Sequence, residues 1–215
     1  DVVEAVARLK QRGMTVGVQL LPGLKGETWE SILETAIAVV KMKPDFVRIY
    51  PVLVIENTEL ADQYRAGEYE PLSTEQAITY CAFLKDWFER HNIEVIRTGL
   101  QSTEELDSGN SLVAGPYEPA MGELVVNEQY KQRIERCINE HIESFIDKEL
   151  SQWNIWGQVN TYIALNISIY YPRSLTSKVR GLKNRNMLYF QEKYPYININ
   201  WYEDSTRNTV RCCID

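Results

Sequence analysis

The residues best able to do chemistry gather in a few short runs. Gln19-Leu20-Leu21-Pro22-Gly23-Leu24-Lys25-Gly26-Glu27-Thr28 joins an apolar run to a cappable helix start, and its glycines let a ligand approach the backbone closely. A tight turn that delivers the chain to a helix would use the same residues. Four cysteines, at positions 81, 137, 212 and 213, have neither CxxC nor CxxxCxxC spacing, and only His91 and His141 could join them. No metal site is therefore expected within this chain. Cys81 and His141 fall on apolar helix faces, where a packed thiol and a hydrogen-bonded core imidazole are the expected roles. Near the end, Arg173, Lys178, Arg180, Lys183 and Arg185 follow one another with no acid between them. Arg180 and Lys183 flank a loop that enters a helix, a place suited to a phosphate backbone, although a solvated helix start accounts for the charges equally well.

Composition limits what such residues can belong to. The chain has 215 residues, 44% of them hydrophobic, with 23 Lys+Arg against 30 Asp+Glu, which excludes disorder. No stretch approaches the ~20 consecutive apolar residues of a membrane span. There is no secretory signal, so reduced thiols in the cytoplasm are expected. The first residues, Asp1-Val2-Val3-Glu4-Ala5-Val6, start inside an amphipathic pattern without an initiating Met, so a preceding segment is expected. Charge is uneven: residues 1–150 hold 15 basic and 26 acidic side chains, whereas 151–215 hold 8 and 4.

The elements that must position these residues follow from periodicity. Val2, Val3, Val6 and Leu9 share a helical face that Gly13 stops. Residues 15–21 read as a strand buried on both faces, closed by Pro22-Gly23. Thr28 caps a helix whose stripe is Trp29, Ile32, Leu33, Ala36, Val39 and Val40. Residues 46–54 read as a second strand, parallel to the first because a βαβ crossover joins them. Ser73 or Thr74 caps a further helix with Ala77, Ile78, Cys81, Leu84 and Phe88 inward, and 93–100 supplies another strand. Residues 101–119 read as loop. Tyr130, Ile134, Cys137, Ile138, His141, Ile142, Phe145 and Ile146 mark a long amphipathic helix. Strands over 162–171 and 196–202 flank a helix near 184–194 in a small α+β tail. Three regions are expected: 1–119, a connecting helix over 120–150, and 151–215.

Alternating strands and helices without GxGxxG or GxxxxGK[ST] favour a parallel α/β sheet or barrel. The ordered set of the PGLKGET turn, Arg48-Ile49-Tyr50-Pro51-Val52-Leu53-Val54, Asn57-Thr58-Glu59-Leu60, Tyr64 and Gly67-Glu68-Tyr69 resembles the radical S-adenosylmethionine superfamily. Within it, the resemblance is to the branch of the Elongator catalytic subunit and its bacterial relatives, and it covers roughly residues 1–119. It implies an α/β fold in which this chain is the C-terminal portion of a partial (βα)6 TIM-like barrel, with the missing N-terminal half of the barrel as its structural partner. It also implies S-adenosylmethionine and a [4Fe-4S] cluster as cofactors, the cluster held by a CxxxCxxC loop that would lie upstream of Asp1.

Carried over by position, Gln19, Leu21, Gly23 and Gly26 match the turn that borders the adenosyl group, with Leu21 as the apolar contact to adenine. Gln19 stands where relatives often have Asp, Lys25 where Pro is usual and Asn57 where Gly is usual. Arg48 and Tyr50, two apart on one strand, share a face. If that face is the barrel lumen they are substrate or cofactor contacts, and Arg97 and Gln101 would line the same mouth. Tyr117 and Glu118 would belong to a loop closing it. The resemblance implies that the intact protein is a radical enzyme, with this chain inactive alone. A tRNA base, a tetrapyrrole and other substrates are equally open. The alternatives are a non-radical barrel enzyme and a non-catalytic RNA-binding or scaffold module. The tail lacks a glycine-rich acyl-CoA loop, so acetyl transfer is not carried over. Its basic run leaves either tRNA or another RNA as partner, through Arg180 and Lys183, or a packing or dimerisation role.

Overall fold

The computed structural model describes residues 2–109, 111–152 and 165–214. It divides into two compact units, Asp1–Val125 and Val126–Asp215. Both are mixtures of helix and sheet, and no described helix is long and apolar enough to cross a membrane.

In the first unit, three parallel strands lie in the order β1 (Gly17–Leu20), β2 (Phe46–Ile49) and β4 (Glu94–Thr98). Helices α2 (Trp29–Met42) and α4 (Thr74–Arg90) make the crossovers. Each begins in a capping box: the Thr28 and Ser73 hydroxyls accept from the N–H groups of Ser31 and Gln76, whose side chains bond back. The expected inward residues of α4, namely Ala77, Ile78, Cys81, Leu84 and Phe88, are all buried. They join Ile32, Ala36 and Val39 of α2 and Leu20, Val47 and Ile49 of the strands in one core, which also takes Met121 and Val125 from the start of α6 (Met121–Gln152). Because β1 and β2 are adjacent and parallel, as the crossover requires, Gln19 sits opposite Arg48 and Leu20 opposite Ile49.

Several expectations need correction. β1 is not buried on both faces, since Gly17 and Gln19 are exposed and Leu20 is buried. In helix α1 (Val2–Gln11) only Val6 is buried, while Val2, Val3 and Leu9 are exposed. Trp29 and Leu33 likewise stay largely exposed, although the Trp29 ring meets Tyr80 and Phe83 edge-on. The run 46–54 is not one strand. Tyr50 N–H still bonds Leu20 O at 2.9 Å, but Pro51 has no N–H to continue the ladder. The chain then turns away, and β3 (Val54–Ile55) pairs antiparallel with β5 (Leu112–Ala114), whose strand, like helix α5 (Glu104–Asp107), lies in the stretch read as loop. Helix α3 (Glu59–Arg65), capped by Thr58, was also not foreseen.

In the second unit, β6 (Leu165–Tyr171) is the central strand, parallel to β7 (Ile197–Glu203) and antiparallel to β8 (Arg211–Ile214). Helices α7 (Thr176–Arg180) and α8 (Arg185–Lys193) form the crossover. Residues 162–164 of the expected strand lie outside the described residues, and β8 is an addition to it. Ile134 and Ile138 of α6 close a second core with Ile167, Ile169, Tyr171, Val179 and Phe190.

Candidate functional site

The turn after β1 is built around Gly23. Its φ of +100° and the Leu72 side chain, which a Cβ would meet at 3.1 Å, exclude a larger residue. Gly23 N–H donates to Glu27 Oε2 at 2.5 Å, and Tyr69 Oη–H donates to Gly23 O at 2.6 Å. Val52 N–H donates to Pro22 O at 2.9 Å. Burial pushes the Glu27 carboxyl up, opposed by the Gly23 N–H, and burial together with the Glu27 charge pushes the Tyr69 phenol up. Gly23 is thus buried with its only donor engaged, so it serves the site through conformation. Gly26, at φ +79°, is exposed with open space where a Cβ would lie. Glu27 and Tyr69 stand in the two motifs that carry the resemblance, but no sequence signal marks them as partners of this turn.

Beyond the turn, the sheet presents one open face. In register, Gln19, Arg48 and Arg97 form a single row across β1, β2 and β4, and all three are exposed. An irregularity after Val47 makes this row possible: Val47 pairs with Val95 but Arg48 with Arg97, so Ile96 is skipped. Arg97 Nη1 donates to Gln101 Oε1 at 2.9 Å. The Arg48 guanidinium lies 5.6 Å from the Phe46 ring centroid. That ring covers Gly17, where a Cβ would fall 2.2 Å from it. Tyr50, just past β2, is half-buried. Gln19 and Leu21, the latter 43% exposed, also line a largely apolar cleft of about 300 Å³ beside β1.

Tyr117 donates to Asp107, and Ser102 Oγ also donates to that carboxylate at 2.7 Å, so the two hydroxyls hold the Asp107 carboxyl below its usual range. This ties the end of the unit to the loop after β4. In the second unit, Arg180 turns inward: its Nε donates to Tyr171 Oη at 3.0 Å and its Nη2 lies 3.8 Å from Glu203. Lys183 is exposed in a left-handed conformation, φ +52°, one residue past Leu182. The structure therefore does not present these two cations together as free groups.

Cys81 is buried and pushed up to about 12 by that burial, and among the described residues no group of three His, Cys, Asp or Glu could hold a metal ion. A [4Fe-4S] cluster does not fit the described residues. The cleft beside Gln19 and Leu21 offers an amide and apolar carbon together.

Residues 44–132 match the family model of the Radical_SAM C-terminal domain. The chain is 32% identical over 142 residues to a tRNA uridine(34) acetyltransferase of Methanocaldococcus jannaschii, covering 64% of this chain and 25% of the relative. A tRNA uridine(34) acetyltransferase of Methanocaldococcus infernus is 30% identical over 142 residues, covering 64% and 26%. This chain thus spans about a quarter of the length of these curated relatives. Among solved structures, the archaeal Methanocaldococcus infernus Elp3 with an N-terminal deletion superimposes with a TM-score of 0.51 at 28% identity, covering 61% of this chain and 30% of that one. The matched domain, these relatives and the shared turn and strand motifs agree, and they make the chain similar to the Elongator-like branch of the radical S-adenosylmethionine superfamily.

Proposed function

We propose that this chain forms part of a radical S-adenosylmethionine enzyme that acts on tRNA, with the open face of the β1-β2-β4 sheet as the floor of its active site. The row of Gln19, Arg48 and Arg97 carries this reading, because two exposed cations there have no carboxylate partner among the described residues while the opposite face is packed. In a partial (βα)6 barrel ending with these strands, that face is the lumen. Gln19 would hold the adenosyl group by its amide, which both donates and accepts, and Leu21 would contact the base. Gly23 and Gly26 keep the turn in the conformation that leaves this edge clear. Arg48 and Arg97 would bind an anionic group of cofactor or substrate, Gln101 holds Arg97 in orientation, and Tyr50 would mark the rim. Bound S-adenosylmethionine would supply the radical chemistry.

The relatives named as tRNA uridine(34) acetyltransferases support tRNA as the substrate class. Lys183 is the exposed cation suited to its phosphates, with Arg180 fixing the helix turn behind it. A second reading, an RNA-binding module without catalysis, draws on the acid-free basic run alone. The full protein containing this chain, loaded with iron and sulfide and reduced without oxygen, should release 5′-deoxyadenosine from S-adenosylmethionine. Arg48→Ala and Arg97→Ala should each weaken cofactor or substrate binding about tenfold, the loss of one charged hydrogen bond. Absence of S-adenosylmethionine binding by the parent protein would overturn the enzymatic reading in favour of the second.

A further inference from the structure

Away from the open sheet face, the second unit brings two thiols and an imidazole together. Cys137 lies on α6 between the buried Ile134 and Ile138, is half-buried, and packs against the cluster that contains Cys212 of β8, itself 5% exposed. Cys212 pairs with Ile169 of β6 and so points to the same face as that buried residue. Cys213, opposite Ser168, points to the other face. One turn along α6, His141 Nδ1 lies 3.9 Å from Cys137 Sγ and 2.7 Å from Cys137 O. Cys212 offers the Cys137 sulfur both its thiol and its backbone N–H.

These neighbours separate the roles of the two sulfurs. The Cys137 thiol is drawn down to about 6, chiefly by the Cys212 thiol and then by the Cys212 N–H and His141, against burial and the Glu140 charge. The Cys212 thiol is pushed up, first by its bond to Cys137 and then by burial. The half-buried sulfur is open to a small oxidant and the buried one beside it is not, which is the arrangement of an attacking and a resolving thiol.

We propose that Cys137 and Cys212 form a hydroperoxide-responsive thiol pair that closes into an intramolecular disulfide joining α6 to β8. The Cys137 thiolate attacks a peroxide oxygen, the O–O bond breaks, and hydroxide leaves. Cys137 becomes a sulfenic acid, oxidised by two electrons while the peroxide is reduced. The Cys212 sulfur then attacks the Cys137 sulfur, its proton leaves with the sulfenic oxygen as water, and the S–S bond forms. A thiol reductant reverses the link by exchange.

The test is oxidation of the folded chain with a small excess of hydrogen peroxide, followed by intact mass and peptide mapping without reduction. The expected product is a monomer lighter by two hydrogens, cross-linked between Cys137 and Cys212 and restored by dithiothreitol. Cys212→Ser should stop at a sulfenic acid on Cys137 that dimedone traps, Cys137→Ser should give no cross-link, and Cys213→Ser should behave as the parent. Mapping of the parent protein decides the matter even if a variant fails to fold. A cross-link to Cys213, a purely intermolecular product, no cross-link, or the same mixture of products in urea as in buffer would overturn the proposal.

Discussion

The two units each carry a three-stranded sheet, but they finish the outer face of that sheet differently. In the second unit Asn166 and Tyr170, on the outward side of β6, are satisfied by neighbours on their own sheet. Asn198 Nδ2 donates to Asn166 Oδ1 at 2.9 Å, Tyr170 and Tyr202 stack at 5.1 Å, and the Arg207 guanidinium lies 5.4 Å from the Tyr170 ring centroid. Arg207 is itself paired with Asp204. In the first unit the corresponding face offers Gln19, Arg48 and Arg97, whose closest polar partner across the row is a neutral Gln101. A face closed by its own cross-strand pairs has little left for a ligand, whereas cations without acids are held ready for one. The negative charge of the first unit as a whole makes an acid-free row within it more notable still.

The largest effects should come from the cores, which test whether the units are energetically separate. Phe88 and Phe190 are both fully buried, one in each core. Phe88→Ala and Phe190→Ala should each cost about 3–5 kcal/mol. Hydrogen exchange should show lost protection chiefly in the unit that carries the change, and uniform loss across both would break the comparison.

Next in size is the Gly23 knot. Gly23→Ala forces a side chain into a positive-φ position against Leu72 and should cost about 1–3 kcal/mol. Tyr69→Phe removes one buried hydrogen bond to the Gly23 carbonyl and should cost about 1 kcal/mol. Urea unfolding measures both. If Tyr69→Phe were neutral, the knot would not be what stiffens the turn.

Arg48→Ala should leave stability within about 0.5 kcal/mol, since its side chain has no carboxylate partner among the described residues. Arg207→Ala in the second unit should also be mild in stability, yet only the first should change binding of an anionic ligand, read by calorimetry. Equal effects on binding would erase the contrast between the two faces.

The smallest effect is in pH. The Glu27 carboxyl is raised by burial, so its contribution is fully present below the ordinary Glu value and is lost as pH rises through its folded value. Asp204 is lowered, first by the Thr206 hydroxyl and then by the Thr206 N–H, so its contribution is present above the ordinary Asp value and is lost as pH falls. Glu27→Gln and Asp204→Asn should therefore remove opposite slopes from stability measured across the acid range. Slopes of the same sign would contradict these environments.

Much of the fold was legible because it is written locally. A stripe at helical spacing and a hydroxyl three residues ahead of its partner fix α2 and α4 at Thr28 and Ser73 within a turn or two of chain. The βαβ order makes β1 and β2 parallel. The turn motif, the strand with Arg48 and the basic run were equally visible, and so was the family resemblance. What tertiary structure alone decided are the encounters between residues far apart in sequence. Tyr69 closing on Gly23, Arg180 turning in to Tyr171 and Glu203, and Cys137 meeting Cys212 across the second core depend on how elements pack. So does the row of Gln19, Arg48 and Arg97, which needs an irregularity in β4 that skips Ile96. Periodicity assigns a side chain to a face, but which face stays open depends on what else packs against it, and that is a property of the folded chain.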